Sequence, residues 1–68
     1  MNKENAMEVK RRAYKAIAEL DQLVAEIRNK CPEEELKSVR RAVGNSIVAI
    51  NDEILEPIYK QYPELDNQ

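Results

Sequence analysis

The stretch Leu36–Tyr59, LKSVRRAVGNSIVAINDEILEPIY, decides the fold. Its main apolar residues fall at Leu36, Val39, Val43, Ile47, Ile50, Ile54 and Ile58. Steps of three and four place them on one face of an α-helix. The pattern also closes on itself from Leu36 to Ile47 to Ile58. That spacing gives about 3.67 residues per turn, close to the natural helical period, so a nearly straight helix is expected.

The region before it reads as the partner of this helix. From Ala6 to Ile27 the apolar positions are Ala6, Val9, Ala13, Ala16, Ile17, Leu20, Leu23, Val24 and Ile27. They fill one arc of a helical wheel, and Arg11, Lys15, Glu19, Gln22 and Glu26 occupy the other side. No Gly or Pro interrupts the run before Pro32. Met1–Asn5 is polar and expected to fray. Tyr14 falls at the rim of the apolar arc, where a ring is half covered.

The break between the two helices is short. Asn29 suits a left-handed backbone at a helix end, with Arg28 and Lys30 as the cations a C-terminus prefers. Pro32 suits a first helical turn, and Glu33, Glu34 and Glu35 set negative charge on its positive end. These three carboxylates therefore read as dipole complementation, not as an acidic active site. So short a connection makes the helices antiparallel neighbours. Pairs four apart, Glu8–Arg12, Glu26–Lys30, Glu33–Lys37 and Glu56–Lys60, support both helices.

The expected fold is all-α: a single antiparallel two-helix hairpin over residues 1–68. Helix 1 spans about 3–29, the turn 29–32, and helix 2 about 32–62. Pro57 lacks a backbone donor and disfavours helical geometry at Glu56, so a kink or stop is expected there. Gly44-Asn45-Ser46 also fits the turn of a helix-turn-helix. That reading would interrupt the stripe from Leu36 to Ile58 and give an acidic recognition helix, which suits DNA poorly.

A bare hairpin of this length has little to bury. A short chain usually needs disulfides, a metal or self-association. Cys31 is the lone cysteine and there is no His, so crosslinks and metals offer little. Self-association remains, and the hairpin is expected to pair into a dimeric four-helix bundle. A second stripe beside the main one, Gly44, Val48, Asn51 and Leu55, is the expected dimer interface. Gly44 implies close backbone approach there, and Asn51 resembles a register-setting amide.

The C-terminal segment is the candidate docking site for a partner. With the turn centred near Asn29–Cys31, facing residues have numbers that sum to about 61 in an antiparallel pair. Ile47 then faces Tyr14, Ile54 faces Met7 and Ile58 faces Lys3. Beyond that the first helix has run out. Ile58, Tyr59, Tyr62 and Leu65 are therefore expected to dock on the other protomer or on another protein.

Composition excludes several function classes. Lys plus Arg number 11 and Asp plus Glu 13, for a net charge of −2. Up to Cys31 there are seven cations and five anions, +2; from Pro32 onward four and eight, −4. This mildly favours the halves lying side by side and does not describe a strongly cationic nucleic-acid binder. With no His, neither Cys31, Ser38 nor Ser46 has a base to activate it. Gly44 is the single glycine, so no phosphate loop is possible. No enzyme activity and no cofactor or metal are expected.

Charged residues make up 35% of the chain and leave no membrane span. The N-terminal residues lack the apolar core of a signal peptide, and the cytoplasm is the expected compartment. The leading expectation is a non-catalytic interaction module acting as a homodimer, with a further protein as partner. The alternative is a nucleic-acid-associated regulator using Lys10, Arg11, Arg12, Lys15, Arg40 and Arg41.

Overall fold

The computed structural model describes residues 1–67, with side chains through Asp66. Helix α1 spans Lys3–Ile27 and helix α2 spans Glu33–Ile50. A π-helical turn over Asn51–Leu55 follows, then helix α3 over Glu56–Gln61 and a 3₁₀ turn over Pro63–Asn67. There is no strand among the described residues. The two long helices pack as a hairpin, α1 against α2 and the π turn. No helix of the described residues is long and apolar enough to cross a membrane.

Each boundary has a local cause. At the start, Asn2 takes an extended backbone and its Oδ1 accepts from the Asn5 amide at 2.8 Å. That is an N-cap, so the N-terminal residues are held instead of frayed. At the far end α1 closes with a tight turn, Lys30 N donating to the Ile27 carbonyl at 3.0 Å. Asn29 does not take the left-handed conformation expected of it, since no described residue has positive φ. Pro32, extended at φ −59° and ψ 152°, then starts α2, and its carbonyl accepts from Leu36 N at 3.0 Å. Helix α2 runs unbroken through Gly44-Asn45-Ser46. The Ser46 hydroxyl donates back to the Ala42 carbonyl at 2.8 Å and caps nothing. This removes the helix-turn-helix reading.

The π turn is the main departure from regular geometry. Glu56 N donates to the Asn51 carbonyl, five residues back. Pro57 supplies the reason: it has no N–H, and its ring would strike the carbonyl four residues earlier in a regular helix. A wider turn relieves that contact and lets the helix continue to Gln61. Pro57 therefore does not stop the helix. A π turn inserts in effect one extra residue, which rotates everything after it by about 100° on the wheel. Leu55 moves from the second stripe into the seam and is 2% exposed, whereas Ile54 leaves the seam and is 39% exposed.

The buried apolar side chains are Ala6, Ala13, Leu36, Val43, Leu55, Ile58 and Leu65. Most of them lie at the end away from the turn between helices. The chain as a whole is elongated, 45 × 18 × 16 Å with a radius of gyration of 14.6 Å. A compact chain of this length would have a radius of about 11 Å. The hairpin is thus a single two-helix layer, and both of its flat faces reach solvent unless something covers them.

Candidate interaction surface

One face of the layer is covered by the chain's own tail. Tyr62 leaves the helix at φ −131° and ψ 77°, away from the helical region that a following proline disfavours, and Pro63 turns the chain back along α1. Leu65 then packs on Ala6 and Ile58, with Val9, Tyr59 and Tyr62 around them. The small side chains of Ala6 and Ala13 leave α1 room for this contact. Lys10 lies between those two alanines on the same stripe and is buried. Its ammonium donates to the Leu65 carbonyl at 2.5 Å and sits 5.7 Å and 5.8 Å from the ring centres of Tyr14 and Tyr59. A buried ammonium needs such acceptors, and two aromatic faces supplement the one carbonyl.

Polar tips bind the outside of this cluster. The Tyr14 and Tyr59 hydroxyls are 2.8 Å apart, and the Tyr62 hydroxyl donates to the Met1 carbonyl. Lys3 and Glu64 approach to 4.0 Å at the surface. Burial, the Tyr14 hydrogen bond and the nearby charges of Asp66 and Glu56 push the Tyr59 phenol up to about 12.

These positions correct the tail expectation. Ile58, Tyr59, Tyr62 and Leu65 find their partners within their own hairpin. Counting along antiparallel helices assumed that the chain kept moving away from the turn. The reversal at Tyr62 and Pro63 brings it back beside Lys10, so Leu65 meets a part of α1 that the count had already used. The sequence signal was the spacing Ala6, Lys10, Ala13, Ile17: an apolar step of four, three and four interrupted by one lysine.

The expected dimer stripe is also altered. Gly44, Val48 and Asn51 are exposed, Val48 by 58%, but Leu55 faces inward and is closed to any partner. A Cβ built on Gly44 meets nothing within 4 Å, so no close approach in the hairpin calls for glycine there. Among the basic residues, Lys10 is buried, and Arg11 and Arg12 both bind Glu8, at 2.6 Å and 2.9 Å. Those two guanidiniums hold the Glu8 carboxyl down at about 2. Lys15, Arg40 and Arg41 are exposed. The six cations do not form one patch.

The opposite face of the layer stays open. A groove of about 360 Å³ runs between α1 and the α2–π segment, lined by Val9, Arg12, Ala13, Ala16, Ile50 and Ile54. It continues past Val9 and Ile54 into a second hollow that ends at Met1, Pro57 and Gln61. Leu23, 42% exposed, lies two helical turns beyond Ala16 on the same face of α1. A larger hollow of about 460 Å³ on the tail side is lined by Met7, Tyr14, Leu65 and parts of Glu4, Glu8, Lys10 and Arg11, and its surface is mostly apolar as well. No family model, curated protein or solved structure matches the chain.

Proposed function

We propose that this chain is a non-catalytic protein-interaction module that acts as a homodimer: a small adaptor, regulator or inhibitor working through its helical surface. The observation that carries the reading is surface area. The chain exposes 5169 Å², where a compact monomer of its mass would expose about 4,400 Å². The excess is close to the roughly 800 Å² that one partner contributes to a standard protein interface. A two-helix layer that leaves one apolar face open supports the same reading, because helical layers gain stability by packing on another layer.

The absence of His and the state of the nucleophiles support a non-catalytic role. The Cys31 thiol donates from the connection to the Ile27 carbonyl at 3.4 Å, and the Ser46 hydroxyl donates to the Ala42 carbonyl within α2 at 2.8 Å. A single free thiol suits a reducing compartment, and the cytoplasm is the setting proposed. Sedimentation or light scattering at micromolar concentration tests the reading. The expected mass is twice the 7.9 kDa of the chain. A stable monomer at every accessible concentration would remove the homodimer. Salt-dependent retention of a DNA or RNA fragment would instead favour the nucleic-acid alternative.

A further inference from the structure

We infer that a second copy of this chain seats in the groove of Val9, Ala13, Ala16, Ile50 and Ile54, with α1 of each protomer over α2 of the other. This deepens the homodimer reading and rests on it. The surface on which the partner sits is the face opposite the tail, and not the Gly44–Val48 stripe.

Three features of the groove agree on this occupant. The first is its shape. Toward the turn the α1 wall is low, with Ala13 buried at the floor and Ala16 exposed, and it rises to Val9 and Arg12 toward the open end. The α2 wall is high, made of Ile50 and the outward-turned Ile54. A two-fold axis in the interface plane, parallel to the helices, sets the Ile50–Ile54 wall of each copy over the Ala13–Ala16 step of the other, which makes the surface self-complementary. Self-complementarity is what a two-fold interface requires. A foreign protein would need a matching step of its own.

The second is charge. Arg12 stands on the α1 rim of the groove and Glu53 borders its continuation on the α2 side. The same crossed pairing brings Arg12 toward Glu53 of the partner subunit, twice per dimer. The alternative pairing, α1 over α1, would oppose Arg12 to its own copy. The third is extent. The open face runs from Met1 and Pro57 at one end toward Leu23 at the other, along a molecule 45 Å long. A strip of that length is sufficient to account for the excess area, whereas the outer stripe offers only Val48 as a large apolar side chain.

The experiment compares Ala16→Glu with Val48→Glu by sedimentation, with circular dichroism to check that each stays helical. Ala16→Glu should raise the dimer dissociation constant at least about 100-fold, because it buries an unpaired charge at the interface centre. Val48→Glu should leave it within about threefold, the ordinary range of a surface change. If Val48→Glu dissociates the dimer and Ala16→Glu does not, the inference is overturned while the homodimer reading stands. A monomeric wild type overturns both and leaves the groove to a foreign occupant. Should Ala16→Glu fail to fold, a charge swap decides. Arg12→Glu should weaken the dimer, and Arg12→Glu combined with Glu53→Arg should restore it. No restoration rejects the crossed pairing.

Discussion

The two ends of the hairpin are built differently. Near the turn, Leu36 and Val43 are buried by α1, while Ile17, Leu20, Val24 and Ile27 are only half covered. At the open end, Ala6, Lys10, Leu55, Ile58 and Leu65 are all buried, and side chains from three segments meet. The covalent turn already holds one end together, so modest packing suffices there. The other end has no covalent connection between the helices and would fray, since a lone helix pair closes only one seam. The returning tail acts as a third element, and the clamp of Lys10 on the Leu65 carbonyl fixes it. A small protein can thus concentrate its core where chain connectivity gives least help.

The sharpest way to break this comparison is at the π turn. Leu55→Ala should cost about 2–5 kcal/mol, the range for a fully buried leucine. Ile54→Ala should cost the monomer well under half as much, because Ile54 is already 39% exposed. A regular helix would reverse the order, with Ile54 in the seam and Leu55 outside. Because Ile54 also lines the proposed dimer groove, thermal or urea denaturation reads the π turn at concentrations where the chain is monomeric. Equal losses, or a larger loss at Ile54, would show that the helix passes Pro57 without the extra residue.

The same residues show what was legible in the sequence. The long helices and their antiparallel pairing follow from period and short connection, and Leu36, Val43 and Ala13 fall where the stripe puts them. The inward turn of Leu55 was not legible, because a wheel drawn at constant angle carries no insertion. Pro57 was visible, but proline permits a kink, a stop or a π turn, and only packing chooses among them. Lys10 was hidden for a related reason. Lysine on a helix normally points to water, and its burial depends on a carbonyl fifty-five residues away. The same rotation took Leu55 from the Gly44–Val48 stripe and turned Ile54 outward toward the open groove.

Alkaline pH should loosen the open end and spare the turn end. Tyr59 holds its proton up to about 12 because it is shielded and hydrogen-bonded to Tyr14. In the unfolded chain a tyrosine titrates near 10. A raised folded pKa gives stability that is fully present below about pH 10 and is lost as pH rises toward about 12. Amide exchange above pH 10 is too fast to follow, so near-ultraviolet dichroism of the tyrosines is the measurement. Wild type should lose that signal between pH 10 and 12 before helicity falls. Tyr59→Phe should remove the pH dependence and lose about 0.5–1.5 kcal/mol at neutral pH from the missing hydroxyl pair.

Gly44 lies between the two ends, in the middle of α2. Nothing crowds a Cβ there within 4 Å, and its φ is not positive. Gly44→Ala should therefore stabilise the helix by about 1 kcal/mol. The dimer should be unchanged if the groove is its interface. A weaker dimer would return the second copy to the outer stripe.

The smallest effect contrasts ion pairs at the two ends. Near the open end Glu8 binds Arg11 and Arg12 within 3.1 Å, whereas near the turn Glu26 reaches Lys30 only at 3.7 Å. Hydrogen bonds from both arginines lower the Glu8 carboxyl from 4.5 to about 2. A depressed folded pKa gives stability present above about pH 4.5 and lost as pH falls toward 2. Because the group is fully exposed, solvent and salt screen most of that stabilisation. Glu8→Gln should lower the melting temperature slightly at pH 6, and the difference should disappear by pH 2 and shrink in 1 M salt. Glu26→Gln should show a smaller difference at pH 6. If the two variants behave alike, the paired arginines add nothing beyond a single i, i+4 contact, and the open end owes its firmness to the buried cluster alone.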